Sequence, residues 1–127
     1  MSCVPEDLKY TKEHQWVKVD GDLATIGITD HAQSQLGDVV YVELPKVGLV
    51  IRKGDVIATI ESIKAITEVY SPLTGEVVSS NKDLEEFPKP INDSPYQGGW
   101  LAVIRIDNPT ELSDLLDADE YCRLIGD

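Results

Sequence analysis

The sequence is poor in cysteine, in basic residues and in long apolar runs. Its two cysteines, Cys3 and Cys122, lie at opposite ends of the 127-residue chain and lack Cys-x-x-Cys spacing. We therefore expect two free thiols in a reducing compartment. The chain has 11 basic residues against 23 acidic ones, a formal net charge of −12. Such a surface repels phosphate backbones and anionic lipid, which argues against nucleic acid or a membrane as a partner.

Segments for export or membrane insertion are also lacking. No apolar run approaches the length that is needed to cross a bilayer. The start of the chain, MSCVPEDLKY, has neither the apolar core of a signal peptide nor an arginine-rich transit pattern. With 42% hydrophobic residues in 127, the chain is expected to form one domain with a modest core. These features predict a soluble, acidic, intracellular protein.

Motifs typical of enzymes are absent from the sequence. It contains no nucleophile elbow, no phosphate-binding glycine loop and no zinc-ligand spacing, so no metal is expected. The histidines His14 and His31 have ordinary local roles available, packing beside Trp16 for His14 and hydrogen bonding in a first helical turn for His31. We do not expect an independent enzyme, and no residue is assigned a catalytic role.

Alternating apolar residues predict strands through the middle of the chain. QWVKV and LATIGI flank a turn in which Asp20-Gly21 is a favoured hairpin pair. ITDHAQSQLG is typical of one short helix, capped by Thr29 or Asp30 and ended by Gly37 in a left-handed conformation. A strand, DVVYVEL, follows that helix.

Two loosely similar β-rich segments meet at Lys64. KVGLVIRKGDVIATIE leads into this lysine and AITEVYSPLTGEVVSSN leads out of it, which predicts that Lys64 lies at a hairpin tip. We expect Gly54 and Gly75 to supply positive φ angles at turns. The Pro- and Gly-rich stretch LEEFPKPINDSPYQGGW is predicted to be a loop, and WLAVIRI a final strand.

The last segment is predicted to be helical. Asn108 suits a helix cap, and Glu111 follows it at the spacing of a capping box. A second turn can restart at Asp117, with Tyr121 and Leu124 facing inward. The expected picture is a small β structure with short helices.

Lys64 has a setting that suits covalent attachment. A carrier protein must project its acceptor amine from a rigid turn, and the β-branched residues on both sides favour firmly packed strands. ESIKA followed by EVYSPLTGEV resembles the lipoyl-attachment hairpin of the glycine cleavage system H-protein family. The resemblance continues, in order, through YTKEHQWVKV, ATIGITDHAQSQLGDVVYVELPKVG, NDSPYQGGWL and ELSDLLDADEY.

The resemblance implies a fold and a cofactor. It implies a mainly β, flattened barrel of the lipoyl and biotinyl carrier type (a sandwiched hybrid barrel) with short helices, one of them C-terminal. Residues 1–127 would form a single lipoyl-carrier domain, with a core at about 15–106 and a helical segment at about 108–124. Lipoate would be joined to Lys64 by an amide, with Glu61 and Ala65 as part of the attachment motif.

The resemblance also implies a role in a cycle of enzymes. Glycine decarboxylase would load an aminomethyl group on the lipoyl arm, and an aminomethyltransferase would pass its carbon to tetrahydrofolate. Dihydrolipoamide dehydrogenase would reoxidise the arm, and a lipoate-attaching enzyme would install it. The chain would be a carrier rather than a catalyst and is expected to be a monomer. It would lie in the bacterial cytoplasm, or in the mitochondrial matrix if it is a processed eukaryotic chain.

Four further residues are implied to form a cleft that protects the loaded arm. They are Glu13, Gln15, His31 and Glu68. Glu13 and Glu68 would provide carboxylates for a protonated amine, although both also suit solvated charges beside a turn. The family often has Glu where this chain has Gln15, which offers a carbonyl acceptor without the charge.

Related carriers remain as alternatives. Biotin carriers usually place methionines beside the modified lysine, where this chain has Ile63 and Ala65. Lipoyl domains of 2-oxoacid dehydrogenases usually continue into a linker and an acyltransferase domain. A lipoate donor or relay for other enzymes and an unmodified β-barrel binding module are further alternatives.

Overall fold

The computed structural model describes residues 3–126. Within them the chain forms strands at Lys9–Tyr10 (β1), Gln15–Asp20 (β2), Leu23–Ile28 (β3), Val39–Glu43 (β4), Val50–Ile51 (β5), Val56–Ser62 (β6), Ile66–Tyr70 (β7), Gly75–Ser80 (β8) and Ala102–Ile106 (β9). The α-helices are Asp30–Leu36 (α1), Asp83–Glu86 (α2), Pro90–Asp93 (α3) and Ala118–Leu124 (α4), and Pro109–Asp114 is a 3₁₀ helix.

The strands form two antiparallel sheets. One sheet has the order β1-β2-β3-β9-β8-β5 and the other the order β4-β6-β7. Buried residues of both sheets pack into one cluster, with Ile26 and Ile104 from the first and Val42 and Ile60 from the second. This arrangement is the flattened barrel with short helices that the family resemblance implies.

Helix α1 follows its local sequence closely. The Thr29 hydroxyl accepts a hydrogen bond from the N–H of Ala32, and Gly37 ends the helix with φ of 74°. The predicted cap is confirmed, and Gly37 ends the helix with a positive φ, although its ψ of −159° lies outside the left-handed helical region. In the β2–β3 hairpin, Asp20 pairs with Leu23, so the two turn residues are Gly21 and Asp22 rather than Asp20 and Gly21.

Gly54 has the predicted positive φ, at 93°, but Gly75 does not. Gly75 is the first residue of β8 and pairs with Ile106. A Cβ on Gly75 would overlap the carbonyl oxygen of Arg105 in β9. Glycine is therefore required here by the close approach of two strands and not by a turn.

The stretch expected to be a loop contains α2 and α3. Pro90 lies in the first turn of α3, where a missing N–H costs nothing. Each helix is only four residues long, so neither shows a helical repeat of apolar residues. Each buries one aliphatic side chain, Leu84 in α2 and Ile91 in α3.

The C-terminal segment is divided between two helices. Asn108 caps the 3₁₀ helix as predicted, but Glu111 does not complete a capping box with it. The Glu111 carboxylate instead accepts hydrogen bonds from the N–H and hydroxyl of Thr74, at 2.7 and 2.9 Å. The capping box belongs to α4, between Asp117 and Glu120.

Helix α4 packs on the start of the chain. Tyr121 is buried as expected, whereas Leu124 is 47% exposed, so the prediction of an inward Leu124 is wrong. Leu8, Tyr10 and Trp16 lie in the same buried cluster as Tyr121. The N- and C-terminal segments also pair through a β-bridge between Tyr10 and Leu116.

The two cysteines are bonded to each other, which corrects the expectation of two free thiols. Cys3 and Cys122 form a disulfide with Cα atoms 6.0 Å apart. The physical reason is the packing of the N-terminal segment on α4, which a separation of 119 residues in sequence conceals. The inference of a reducing compartment, which rested on free thiols, therefore no longer follows.

Candidate functional site

Lys64 lies in the three-residue turn 63–65 between β6 and β7, at the predicted hairpin tip. The turn is closed by Ser62, whose N–H donates to the Ala65 carbonyl at 2.8 Å. The Ser62 hydroxyl oxygen accepts from the N–H groups of Lys64 and Ala65, at 3.2 and 3.1 Å. One serine thus holds the backbone on both sides of the lysine, a function that the sequence did not reveal.

The side chains of the turn project into solvent. Lys64 and Ala65 are exposed, and Ile63 and Ile66 are 66% and 67% exposed. The ion pairs among residues 3–126 involve Lys53, Lys89 and Arg105, so the Lys64 amine is not held by a carboxylate. An exposed amine on a fixed turn is accessible to a modifying enzyme.

Glu61 is the penultimate residue of β6, close to the hairpin tip. It pairs with Tyr41 in β4 and with Ile66 in β7. Glu61 is half-buried in the middle strand of its sheet. The three residues of the expected attachment motif, Glu61, Lys64 and Ala65, are therefore brought together by a single hairpin.

A cleft of about 170 Å³ lies between α1 and the β6–β7 hairpin, and we call it the α1–β7 cleft. Its apolar lining comes from Ile28, Ala32, Leu36, Ile60 and Val69. Glu13, Gln15 and Glu68, all expected to line an arm cleft, line this one. The cleft combines an apolar wall with carboxylates, which suits a slender apolar chain with a cationic end.

Glu13 and Glu68 are exposed, and Gln15 is buried. The Gln15 side-chain oxygen accepts from the Thr11 hydroxyl at 2.9 Å, and the Gln15 N–H donates to the same hydroxyl oxygen. Gln15 therefore closes the β1–β2 turn on Thr11 with the carbonyl that was expected to serve as an acceptor in the cleft. The Tyr70 hydroxyl lies 3.4 Å from a carboxylate oxygen of Glu68.

His31 does not line the α1–β7 cleft but contacts a residue that does. Its ring lies 4.8 Å, centroid to centroid, from the ring of His14. His14 has a left-handed backbone, with φ of 68°. Its Nδ1 is 2.8 Å from the Tyr121 hydroxyl, which is in turn 2.7 Å from the hydroxyl of Thr29. His14 was expected to pack beside Trp16; its ring contacts in the structure are with Tyr121 and His31.

The protonation of this polar chain follows from its burial. Partial burial and the neighbouring His31 lower the pKa of His14 below its usual 6.5, while Glu13 acts in the opposite direction. Burial raises the pKa of Tyr121 to about 12. At neutral pH, His14 is therefore neutral and Tyr121 keeps its proton, so the chain from Thr29 to His14 carries no charge.

Comparisons with known proteins identify a family. The sequence model of the family described as glycine cleavage H-protein matches residues 8–127. A glycine cleavage system H protein of Staphylococcus haemolyticus (strain JCSC1435) is 48% identical over 98% of this chain and 99% of its own length. One of Rubrobacter xylanophilus (strain DSM 9941 / JCM 11954 / NBRC 16129 / PRD-1) is 50% identical over 97% of this chain and 95% of its own.

A solved structure supports the same assignment. The crystal structure of a glycine cleavage system H protein from Mycobacterium marinum superposes with a TM-score of 0.86. It is 32% identical and the match covers 97% of this chain and 99% of that one. Among residues 3–126, no helix is both long and apolar enough to span a membrane. The chain belongs to the glycine cleavage H-protein family, the lipoyl carriers of the glycine cleavage system.

Proposed function

We propose that this chain carries lipoate in amide linkage on Lys64 and moves the aminomethyl group of glycine from glycine decarboxylase to the aminomethyltransferase. The observation that carries the proposal is the position of Lys64, an exposed amine in a turn that Ser62 closes. The hairpin match to the family, within a family assignment that covers residues 8–127, supports the choice of this lysine.

The residues around Lys64 fit the attached group. When bound, lipoate supplies a dithiolane that accepts carbon at sulfur. Thiol–disulfide exchange then restores the oxidised dithiolane. The hairpin leaves the acceptor amine exposed to solvent, and amide formation removes its positive charge. Glu61 and Ala65 define the flanks of the attachment motif.

The α1–β7 cleft is proposed to shelter the far end of the arm from water. Its apolar wall suits a hydrocarbon chain, and the carboxylates of Glu13 and Glu68 attract a protonated amine. Gln15 supports this site by fixing the turn that presents Glu13, through its bonds to Thr11. His31 supports it indirectly, by packing against His14.

The chain is proposed to act as a substrate of other enzymes and not as a catalyst. Its partners would be glycine decarboxylase, the aminomethyltransferase, dihydrolipoamide dehydrogenase and a lipoate-attaching enzyme. Residues 1–127 are proposed to form one carrier domain that works as a monomer. The bacterial origin of its relatives supports a bacterial cytoplasmic location.

Reconstitution of the cycle tests this function. The lipoylated chain is mixed with the three partner enzymes, glycine, tetrahydrofolate and NAD⁺, and glycine-dependent NADH formation is followed. We expect turnover with the wild type and none with Lys64→Arg. Lys46→Arg, which replaces a different exposed lysine, is the control and should support turnover at the wild-type rate. A lipoylated wild type that supports no turnover would contradict the proposal and favour a lipoate relay.

A further inference from the structure

Asn92, in α3, uses both ends of its side-chain amide on α1 and the loop that follows it. Its Nδ2 donates to the side-chain oxygen of Gln33 and to the carbonyl of Gly37, both at 2.9 Å. Its Oδ1 accepts from the N–H of Val39, also at 2.9 Å. Asn92 therefore bonds the chain on both sides of Asp38, where α1 ends and β4 begins.

The same loop touches the hairpin that carries Lys64. The Asp38 carbonyl accepts a hydrogen bond from the N–H of Ile63 at 3.0 Å, outside the strand ladder. A Cβ placed on Gly37 would lie 3.3 Å from Cε of Lys64 and 3.7 Å from Cδ1 of Ile63. The stem of Lys64 thus rests beside a bare backbone.

Gly37 has a backbone conformation that other residues rarely adopt. Its φ of 74° and ψ of −159° fall in a region that is essentially restricted to glycine. Its N–H donates to Gln33 and its carbonyl accepts from Asn92. Gly37 is therefore held by hydrogen bonds on both sides, and Asn92 supplies one of the two.

We propose that Asn92 is a positioning residue for the acceptor lysine. It fixes the loop 37–39, and this loop sets the direction of the Lys64 side chain through Gly37 and Asp38. This inference rests on the proposed function of Lys64 as the lipoyl site. An enzyme that recognises the geometry of the hairpin would transfer lipoate faster to a pre-oriented lysine, because fewer orientations of the lysine side chain are unproductive.

Two variants perturb the loop 37–39 in different ways. Asn92→Asp keeps the shape and the acceptor for Val39 but loses both donors and places a carboxylate oxygen against the oxygens of Gln33 and Gly37. Gly37→Ala inserts a methyl group against the Lys64 stem. Each has a matched control elsewhere in the fold.

Asn81→Asp is the control for the first variant. The Asn81 amide likewise donates to two oxygens, but these are the carbonyls of Gly98 and Trp100. Gly48→Ala is the control for the second variant. Gly48 has a positive φ of 94°, and a Cβ there would meet nothing within 4 Å.

The measurements are hydrogen exchange of the Ile63 amide and kcat/KM for lipoylation by a lipoate-attaching enzyme. For Asn92→Asp we expect about tenfold faster exchange at Ile63 and a roughly tenfold lower kcat/KM, relative to Asn81→Asp. Gly37→Ala should show the same direction relative to Gly48→Ala. A purely structural role would change the Leu101 amide, which bonds Ile26 in the core, as much as Ile63.

The outcomes separate this inference from the function it rests on. A wild type that is never lipoylated would refute the function, while Ile63 exchange would still test the loop. Equal exchange at Ile63 in Asn92→Asp and Asn81→Asp would overturn the positioning role. So would equal lipoylation rates for each variant and its control.

Discussion

Gly75 begins β8 opposite Ile106, and a Cβ there would overlap the carbonyl oxygen of Arg105. Backbone in the middle of a sheet cannot move away without breaking the ladder. We expect Gly75→Ala to lower the free energy of unfolding by about 3 kcal/mol. Gly21→Ala, with φ of 63° and open space around it, should cost about 1 kcal/mol. Urea unfolding measures both, and equal losses would contradict this account of Gly75.

His14 provides a prediction about pH. Its pKa is lower in the folded chain than the usual 6.5, so between the two values the unfolded chain binds more protons. The contribution of His14 to the free energy of unfolding is therefore fully present above about pH 6.5 and is lost as the pH is lowered through the folded pKa. Thermal unfolding from about pH 7 to 5 should show this loss.

His14→Asn is the matched variant for that experiment. Asparagine adopts left-handed backbone readily, as the φ of 68° requires, and does not titrate. We expect its unfolding midpoint to depend less on pH in this window than that of the wild type. Parallel curves for the two proteins would show that His14 is not responsible.

The polar residues of the site differ in how far their roles can be predicted from the sequence. Lys64 could be found because its motif is local and continuous. Asn92 and Ser62 could not be assigned roles, because a polar residue in a turn or loop has many partners available until the fold is known. Gln15 could be placed beside the cleft, but its bond to Thr11 depends on the conformation of the β1–β2 turn.

The α1–β7 cleft depends on two elements, the helix and the hairpin, that the sequence predicts separately. Its function is tested by Glu13→Gln and Glu68→Gln in the lipoylated, aminomethyl-loaded protein without folate. Each variant should release formaldehyde roughly 2–5 times faster, since a partly exposed charge contact contributes up to about 1 kcal/mol. Glu85→Gln, in α2 and outside the cleft lining, is the control. Decay at the wild-type rate in both cleft variants would refute the protective cleft.

Elements with strong local determinants were predicted, and those set by packing were not. Helix α1 has its cap at Thr29 and its stop at Gly37 in the sequence itself. Helices α2 and α3 were missed because four residues show no periodicity and Pro90 resembles a loop marker. Glu111 has the spacing of a capping box but bonds Thr74, a partner 37 residues away.

The two ends of the chain are held together by the disulfide and by the Tyr10–Leu116 bridge. Closing so long a loop restricts the unfolded chain, so reduction should lower the free energy of unfolding by roughly 2–4 kcal/mol. Denaturant unfolding with and without reductant measures the difference, and Cys3→Ser should be insensitive to reductant. Thiol titration of the denatured, unreduced wild type should find no free thiol. Two free thiols in that titration would contradict the bond.

Lipoylation at a single site is the central claim, and mass spectrometry tests it most directly. The chain is expressed with lipoate and a lipoate-attaching enzyme, and its intact mass is measured before peptide mapping. We predict one lipoyl group in the wild type and in Lys46→Arg, located on the peptide that contains Lys64, and none in Lys64→Arg. Lipoate on any other lysine, or a lipoylated Lys64→Arg chain, would contradict the account.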